Sequence, residues 1–224
     1  MGKIIIVLST LLFLTNCKKE EAIELQDFNF NNKTSAYFSD KDKYKTYDNY
    51  YKIKSEVIGA DTIYDGEFIG SEKPVRIEYK QEMFSYNDVL ARFDDFNFNA
   101  INFATTLEGK MMVFNAVAGK ISLKETEKFI ELLDGKYGKS KKTKEIFIKP
   151  YDIYTWQLKD RIIKYCIVGD NENNTMKIET DETGSSINNG AKEPHLKAYL
   201  YIIKNEYAKQ IIGIMSSGDL LYCD

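Results

Sequence analysis

Histidine is almost absent: His195 is the only one in 224 residues. That removes every multi-histidine zinc site and leaves a histidine-based catalytic dyad little to build on. Proline is scarce as well, with three residues, so no proline-rich spacer is present. The sequence has no glycine-rich phosphate loop and no H-E-x-x-H, G-x-S-x-G or EF-hand pattern. No catalytic motif, metal or cofactor is therefore expected. An excess of positive charge is also missing, because 31 Lys+Arg against 34 Asp+Glu give a net charge of −3. A nucleic-acid footprint needs the opposite balance. Finally, no apolar run reaches the ~20 residues that a spanning helix requires.

What is present begins at the first residue. Met1-Gly2-Lys3 is a short positive end, and Ile4 to Leu14 is apolar except for Ser9 and Thr10. This is the pattern of a secretory signal peptide, here residues 1–16. The stretch stops at Asn16 and the charged run Lys18-Lys19-Glu20-Glu21, too soon to span a bilayer.

Leu14-Thr15-Asn16-Cys17 resembles the lipobox of bacterial lipoproteins. Asn16 stands where most lipoboxes carry a smaller residue, as Bacteroidota-type lipoproteins tolerate. The resemblance implies that Cys17 receives a diacylglyceryl group and becomes the mature N-terminus. Two or three acyl chains, at ~0.8 kcal/mol per buried methylene, then hold the protein on a membrane. Lys18-Lys19-Glu20-Glu21 is similar to the charged signal that sends such lipoproteins to the cell surface, with a periplasm-facing position in the outer membrane as the alternative.

Beyond the cysteine, residues 17–45 are mostly polar and read as a tether. Residues 46–224 read as a single α+β domain, mostly antiparallel sheet with one main amphipathic helix packed on a face. Sixteen tyrosines and thirteen phenylalanines favour strands. Strand patterns cover 51–58, 62–64, 67–69, 74–79, 96–105, 110–118, 151–158, 161–168, 175–180, 196–203, 207–215 and 220–223. Asp65-Gly66 reads as a two-residue hairpin turn and Glu108-Gly109 as another turn. Residues 83–93 read as a short helix, and 139–144 and 181–193 as exposed loops. The clearest element is a helix over Ser122 to Gly135. Ser122 and Glu125 form the S-x-x-E capping box, and Leu123, Thr126, Phe129, Ile130, Leu133 and Tyr137 share one stripe, with Lys124, Lys128, Glu131 and Asp134 facing away.

Few residues carry candidate chemistry. With Cys17 acylated, Cys166 and Cys223 remain, and an envelope address permits a disulfide between them if the terminal strand lies beside the 161–168 strand; two buried, unpaired thiols are the equal alternative. Tyr44, Tyr47, Tyr50 and Tyr51 sit among aspartates and suit a partner-binding surface, or else pack against the sheet. Asp61-Thr62-Ile63 resembles the short sequence at which exported Bacteroidota proteins are O-glycosylated, which makes Thr62 an acceptor. Adjacent acids such as Asp94-Asp95 would point to opposite faces of a strand and give no glycosidase pair. The expected function is accordingly non-catalytic: a membrane-anchored lipoprotein that binds a protein or glycan partner. An immunity-type lipoprotein that neutralises a competitor's toxin and a carboxylate-dependent hydrolase are the alternatives.

Overall fold

The structure, a computed structural model, describes residues 21–38, 49–65, 73–82, 88–147, 149–170, 175–181, 184–190, 195–215 and 218–223. The expected signal peptide over residues 1–16, Cys17, the 66–72 connection, Tyr44 and Tyr47 lie outside these residues.

Fourteen strands and two helices are described. In chain order the strands are β1 (Ile23–Glu24), β2 (Tyr50–Ile53), β3 (Glu56–Asp65), β4 (Lys73–Gln81), β5 (Ala91–Phe93), β6 (Phe96–Phe98), β7 (Ala100–Thr105) and β8 (Met111–Ile121). Helix α1 (Leu123–Tyr137) follows, then β9 (Lys141–Phe147), β10 (Lys149–Gln157), β11 (Arg161–Asp170), β12 (Thr175–Asp181), β13 (Gly184–Gly190), β14 (His195–Lys204) and helix α2 (Ala208–Ile211). Nine strands make one antiparallel sheet in the order β2-β3-β4-β7-β8-β14-β11-β10-β9. A small sheet, β1-β5-β6, and the separate hairpin β12-β13 complete the strands. The architecture is α+β and dominated by antiparallel sheet, as the strand-rich pattern predicted.

The central strands are buried on both faces. β7 has no exposed residue, and β8 is buried from Met111 to Gly119. On the first face, Ile101, Phe103, Phe114, Ala198, Leu200, Ile202 and Tyr165 meet Phe129 and Leu133 of α1, Phe93 and Phe98 of the small sheet, and Leu25, Phe28, Phe30 and Phe38 of the N-terminal segment. On the second face, Val113, Val117, Ile153, Cys166, Tyr199, Tyr201 and Ile203 meet Ile211, Met215, Leu220 and Cys223. Alternation in β14 placed Leu196, Ala198, Leu200 and Ile202 together correctly, but the opposite face is covered by the C-terminal segment instead of water. Strands covered on both faces carry apolar residues at odd and even positions alike.

Helix α1 starts as its capping box requires. Glu125 N donates to Ser122 Oγ at 3.3 Å, and Ser122 N donates to Glu125 Oε2 at 2.8 Å. It stops at Gly138, whose φ of +87° is costly for any residue with a Cβ. Asp134 does not face away as the stripe predicted: its Oδ1 accepts from Trp156 Nε1 and from Ser140 N, both at 2.9 Å, tying the helix end to β10. Leu123, placed on the apolar stripe, is 62% exposed in the first turn. The Ser122 hydroxyl and then its backbone N–H hold the Glu125 carboxyl below the usual carboxylate range. A depressed pKa contributes stability that is present above the unfolded-state value and lost as pH falls through the folded one. Ser122→Ala is expected to cost about 1 kcal/mol of cap stability and to flatten that acid-side loss. Urea unfolding at neutral pH and on the acid side of the carboxylate range checks both.

Several elements differ from expectation. The polar stretch 17–45 is not a tether throughout: Ile23–Glu24 pairs in parallel with Ala91–Arg92, and Leu25, Phe28, Phe30 and Phe38 are buried. Short aromatic islands among polar residues, which resemble a spacer, supply large ring area for few positions. The 51–58 pattern splits into β2 and β3 at Lys54-Ser55, where Lys54 takes φ +52°. Asp65 pairs with Lys73, and Gly66 of the expected Asp65-Gly66 turn lies outside the described residues. Gly109 at φ +79° does make the β7–β8 turn. Ala91–Phe93, read as part of a helix, is a strand. The 96–105 pattern is two strands in different sheets. Lys141–Phe147 and Gly184–Gly190, read as loops, are strands: the first is a lysine-rich sheet edge, which resists further pairing. In the other direction, Ala208–Ile211 and Gly218–Tyr222, read as strands, are an α-helical turn and a 3-10 turn. Their apolar residues are buried by capping the second face, which short runs achieve in either conformation.

Candidate functional site

Asp94 and Asp95 form the turn of the β5–β6 hairpin, where Asp94 takes a left-handed φ of +53° that aspartate tolerates better than most residues. The two acids are therefore on a turn, both exposed, and not on a strand. β6 continues from them along the flank of α1. Helix residues Glu125, Lys128, Phe129 and Leu132 share one face by their spacing and look across at the hairpin. With Asn97, Asn99, Lys120 and Ile121 they enclose a groove of about 360 Å³, within the usual range for small-ligand sites.

The floor is aromatic. The Phe96 ring, half-buried, lies 4.1 Å from the Phe129 ring at 24°, and Phe129 packs in turn on Tyr165 at 5.0 Å. The rim is charged: Asp94, Asp95, Lys120 and Lys128 are all exposed, and none forms a salt bridge with a described residue. Their absence from internal pairing leaves donors and acceptors of both signs solvated around an apolar floor. Asn99 is held by its Nδ2 donating to Asp88 O at 3.3 Å. Glu125 is committed to the helix cap and kept ionised. A general acid needs a raised pKa, so this carboxylate is a poor fit to the hydrolase alternative.

A second groove of about 370 Å³ opens on the other flank of α1, between Leu123, Glu127 and Ile130 and the strands carrying Lys142, Asp152 and Tyr154. One lysine and one aspartate in it are already engaged with each other: Lys142 Nζ lies 2.8 Å from Asp152 Oδ2 and 5.0 Å from the Tyr154 ring centre, while Glu127 and Lys144 also line it.

A buried polar line crosses the large sheet. Gln81 Nε2 donates to Glu56 Oε2 at 2.9 Å, Ile101 N donates to Gln81 Oε1 at 3.1 Å, and Gln81 N donates to Asn102 Oδ1 at 2.9 Å. Asn102 Nδ2 donates to Asn115 Oδ1 at 2.8 Å, and Lys197 Nζ lies 3.3 Å from Asp219 Oδ1. The amide side chains replace ladder bonds where the β4–β7 register ends at Tyr79–Phe103. These bonds pair buried polar groups with one another, and a buried polar group is stable only when bonded. Tyr201 OH and Asn102 Nδ2 also bond Asp219, fastening the C-terminal segment to the sheet.

The remaining sequence candidates are scattered. Tyr51 stacks 4.3 Å from the Phe38 ring and 6.2 Å from Tyr79. Half-buried, it packs on the core, because Tyr51 and Ile53 point to the first face together. Tyr50 is half-buried on β2. Thr62 is exposed on β3, opposite Ile77. Cys166 and Cys223 are both buried thiols in one cluster, not joined as a disulfide. The terminal segment reaches β11 as a 3-10 turn instead of a strand, and Cys166 Sγ donates to the Tyr222 carbonyl at 3.1 Å. His195 is half-buried at the start of β14, opposite Asp170. Among the described residues no group of three or more His, Cys, Asp or Glu could hold a metal, and no helix is long and apolar enough to cross a membrane.

Sequence reasoning weighed Asp94-Asp95 as an acid pair and missed the groove. Its only sequence signal is the Glu125, Lys128, Phe129, Leu132 helix face, and what lies opposite that face is set by a hairpin distant in the chain. The chain matches no known protein family, no curated protein and no solved structure.

Proposed function

We propose that this chain is a lipoprotein, processed at Cys17, held on the outer membrane by acyl chains and facing outward. Its domain, a sheet with α1 as the one main amphipathic helix on its face, binds a glycan without catalysis in the groove between the β5–β6 hairpin and α1. The observation that carries the binding site is the half-buried Phe96 ring among four charged side chains that form no ion pair with a described residue. A sugar ring offers an apolar C–H face to such a ring, and its hydroxyls donate to carboxylates and accept from lysine and amide donors. Glycan-array screening of the chain from Glu21 onward, followed by titration calorimetry, is the test. Aromatic contact is worth about 0.5–1.5 kcal/mol, so Phe96→Ala is expected to weaken binding roughly two- to twelvefold. Lys142→Ala, on the other flank, is expected to leave it unchanged. Failure to bind any glycan, or indifference to Phe96→Ala, refutes the assignment.

The anchor has its own test. Mass spectrometry of membrane fractions is expected to find an acylated peptide beginning at Cys17, Cys17→Ser is expected to abolish membrane sedimentation, and protease shaving of intact cells is expected to remove the domain. Thr62, exposed on its strand, is the O-glycan acceptor that the same mapping would reveal. In the oxidising envelope, Cys166 and Cys223 form a disulfide, giving two electrons and two protons to an exchanging disulfide oxidant. Non-reducing peptide mapping of protein from membranes is expected to recover the 166 and 223 peptides joined; protein from a reducing cytoplasm is expected to yield both thiols.

A further inference from the structure

We infer that the end of the domain formed by the β2–β3 turn and the Asp88–Leu90 segment lies against the lipid headgroups, held there by a tether too short to let it leave. The inference rests on acylation of Cys17. Its structural basis is where the chain enters the fold. Ile23 N donates to Leu90 O and Leu25 N to Arg92 O, both at 2.8 Å, so β1 is fixed by main-chain bonds from its first residue. Leu25 and Phe28 are then buried. Only six residue steps separate Cys17 from Ile23, and even fully extended they span at most about 20 Å.

The direction of entry selects the face. β1 runs parallel to β5, with Ile23 opposite Ala91, so the chain arrives from the side of residues 88–90. That side is joined to the β2–β3 turn: Lys54 Nζ donates to Val89 O, and Ser55 N donates to Asp88 Oδ2 at 3.0 Å. Lys52 and Lys120 are exposed nearby, on β2 and at the end of β8. Together with Lys18 and Lys19 they give the anchored end lysines suited to phosphate headgroups. The opposite end of the sheet is far off. β8 runs eleven residues from Met111 to Ile121, about 35 Å at strand rise, and Asn99 N bonds Val117 O near its anchored end. The Glu108-Gly109 turn therefore stands at the end of the sheet away from the bilayer. The Asn99 and Lys120 end of the groove points toward the membrane, so its ligand is met in the layer just above the headgroups.

The test uses the full lipidated chain in vesicles of phosphatidylethanolamine and phosphatidylglycerol carrying nitroxide-labelled headgroups. A fluorophore on Lys52→Cys is expected to be quenched several-fold more than one on Glu108→Cys. Inserting about twenty Gly/Ser residues after Glu20, whose root-mean-square span is about 25 Å, is expected to remove most of that difference. Equal quenching at the two positions in protein that sediments with vesicles overturns the orientation while leaving the anchor intact. A difference that survives the insertion overturns the tether as its cause. Protein that does not sediment at all fails at acylation, and the orientation falls with it.

Discussion

A chain beginning at residue 46 is expected to be unfolded, whereas one beginning at Glu21 is expected to melt with the full processed chain. The shorter form lacks β1 and four buried apolar side chains, Leu25, Phe28, Phe30 and Phe38. Burial of such side chains contributes about 1.5–3 kcal/mol each, together about 6–12 kcal/mol, against a net stability of about 5–15 kcal/mol for a typical domain. The loss extends to their partners. Phe28 lies 5.0 Å from the Phe114 ring, Phe38 lies 5.8 Å from Phe103, and both partners sit at the middle of the large sheet. Arg161 also loses the Phe28 carbonyl, 2.7 Å away, and the Phe30 ring beneath its guanidinium. Near-ultraviolet circular dichroism and thermal unfolding of the two truncations decide the matter. A cooperative transition in the shorter chain would show that residues 21–38 are dispensable, as a tether would be.

Phe129→Ala is expected to destabilise the domain by about 3–5 kcal/mol and to lower its melting temperature by roughly 10 °C. Phe129 is 1% exposed and touches four rings at once: Phe96 stacked at 4.1 Å, Tyr165 at 5.0 Å, Phe93 at 5.6 Å and Phe98 at 5.8 Å. The ring joins α1, the small sheet and β11, so the surrounding structure has no single element able to close over the vacated space. Chemical denaturation with an unchanged denaturant slope would attribute the loss to packing. Leu123→Ala, in the same helix but exposed, is the control and is expected to change stability by less than about 0.5 kcal/mol. A loss at Phe129 no larger than at Leu123 would mean that α1 is not docked as described.

The elements that were legible are those whose signals are local. The α1 cap needs only Ser122 and Glu125 three residues apart, and Gly109 needs only its own freedom at positive φ. Alternation in β14 is likewise written in consecutive residues. The elements that were missed depend on remote partners. Lys141–Phe147 reads as a solvated loop because its lysines are exposed, yet β10 supplies main-chain bonds to one side of it and the lysines guard the other. Residues 207–215 and 220–223 read as strands because they are apolar, but Ile211, Met215, Leu220 and Cys223 are buried by capping the second face of the sheet. The groove follows the same rule. Its helix wall is a spacing pattern, while its opposite wall exists only because β6 folds back beside α1.

From the sequence alone come the strand-rich α+β composition, the position of α1 and the proposal of export with acylation at Cys17, because each rests on neighbouring residues or on residue totals. Tertiary structure decided that residues 21–38 belong to the core, that both sheet faces are covered, and that Asp94, Phe96, Lys120 and Lys128 surround one groove. Those facts depend on which distant segments bury one another's apolar surface, a choice made by the whole chain at once that no short stretch of it records.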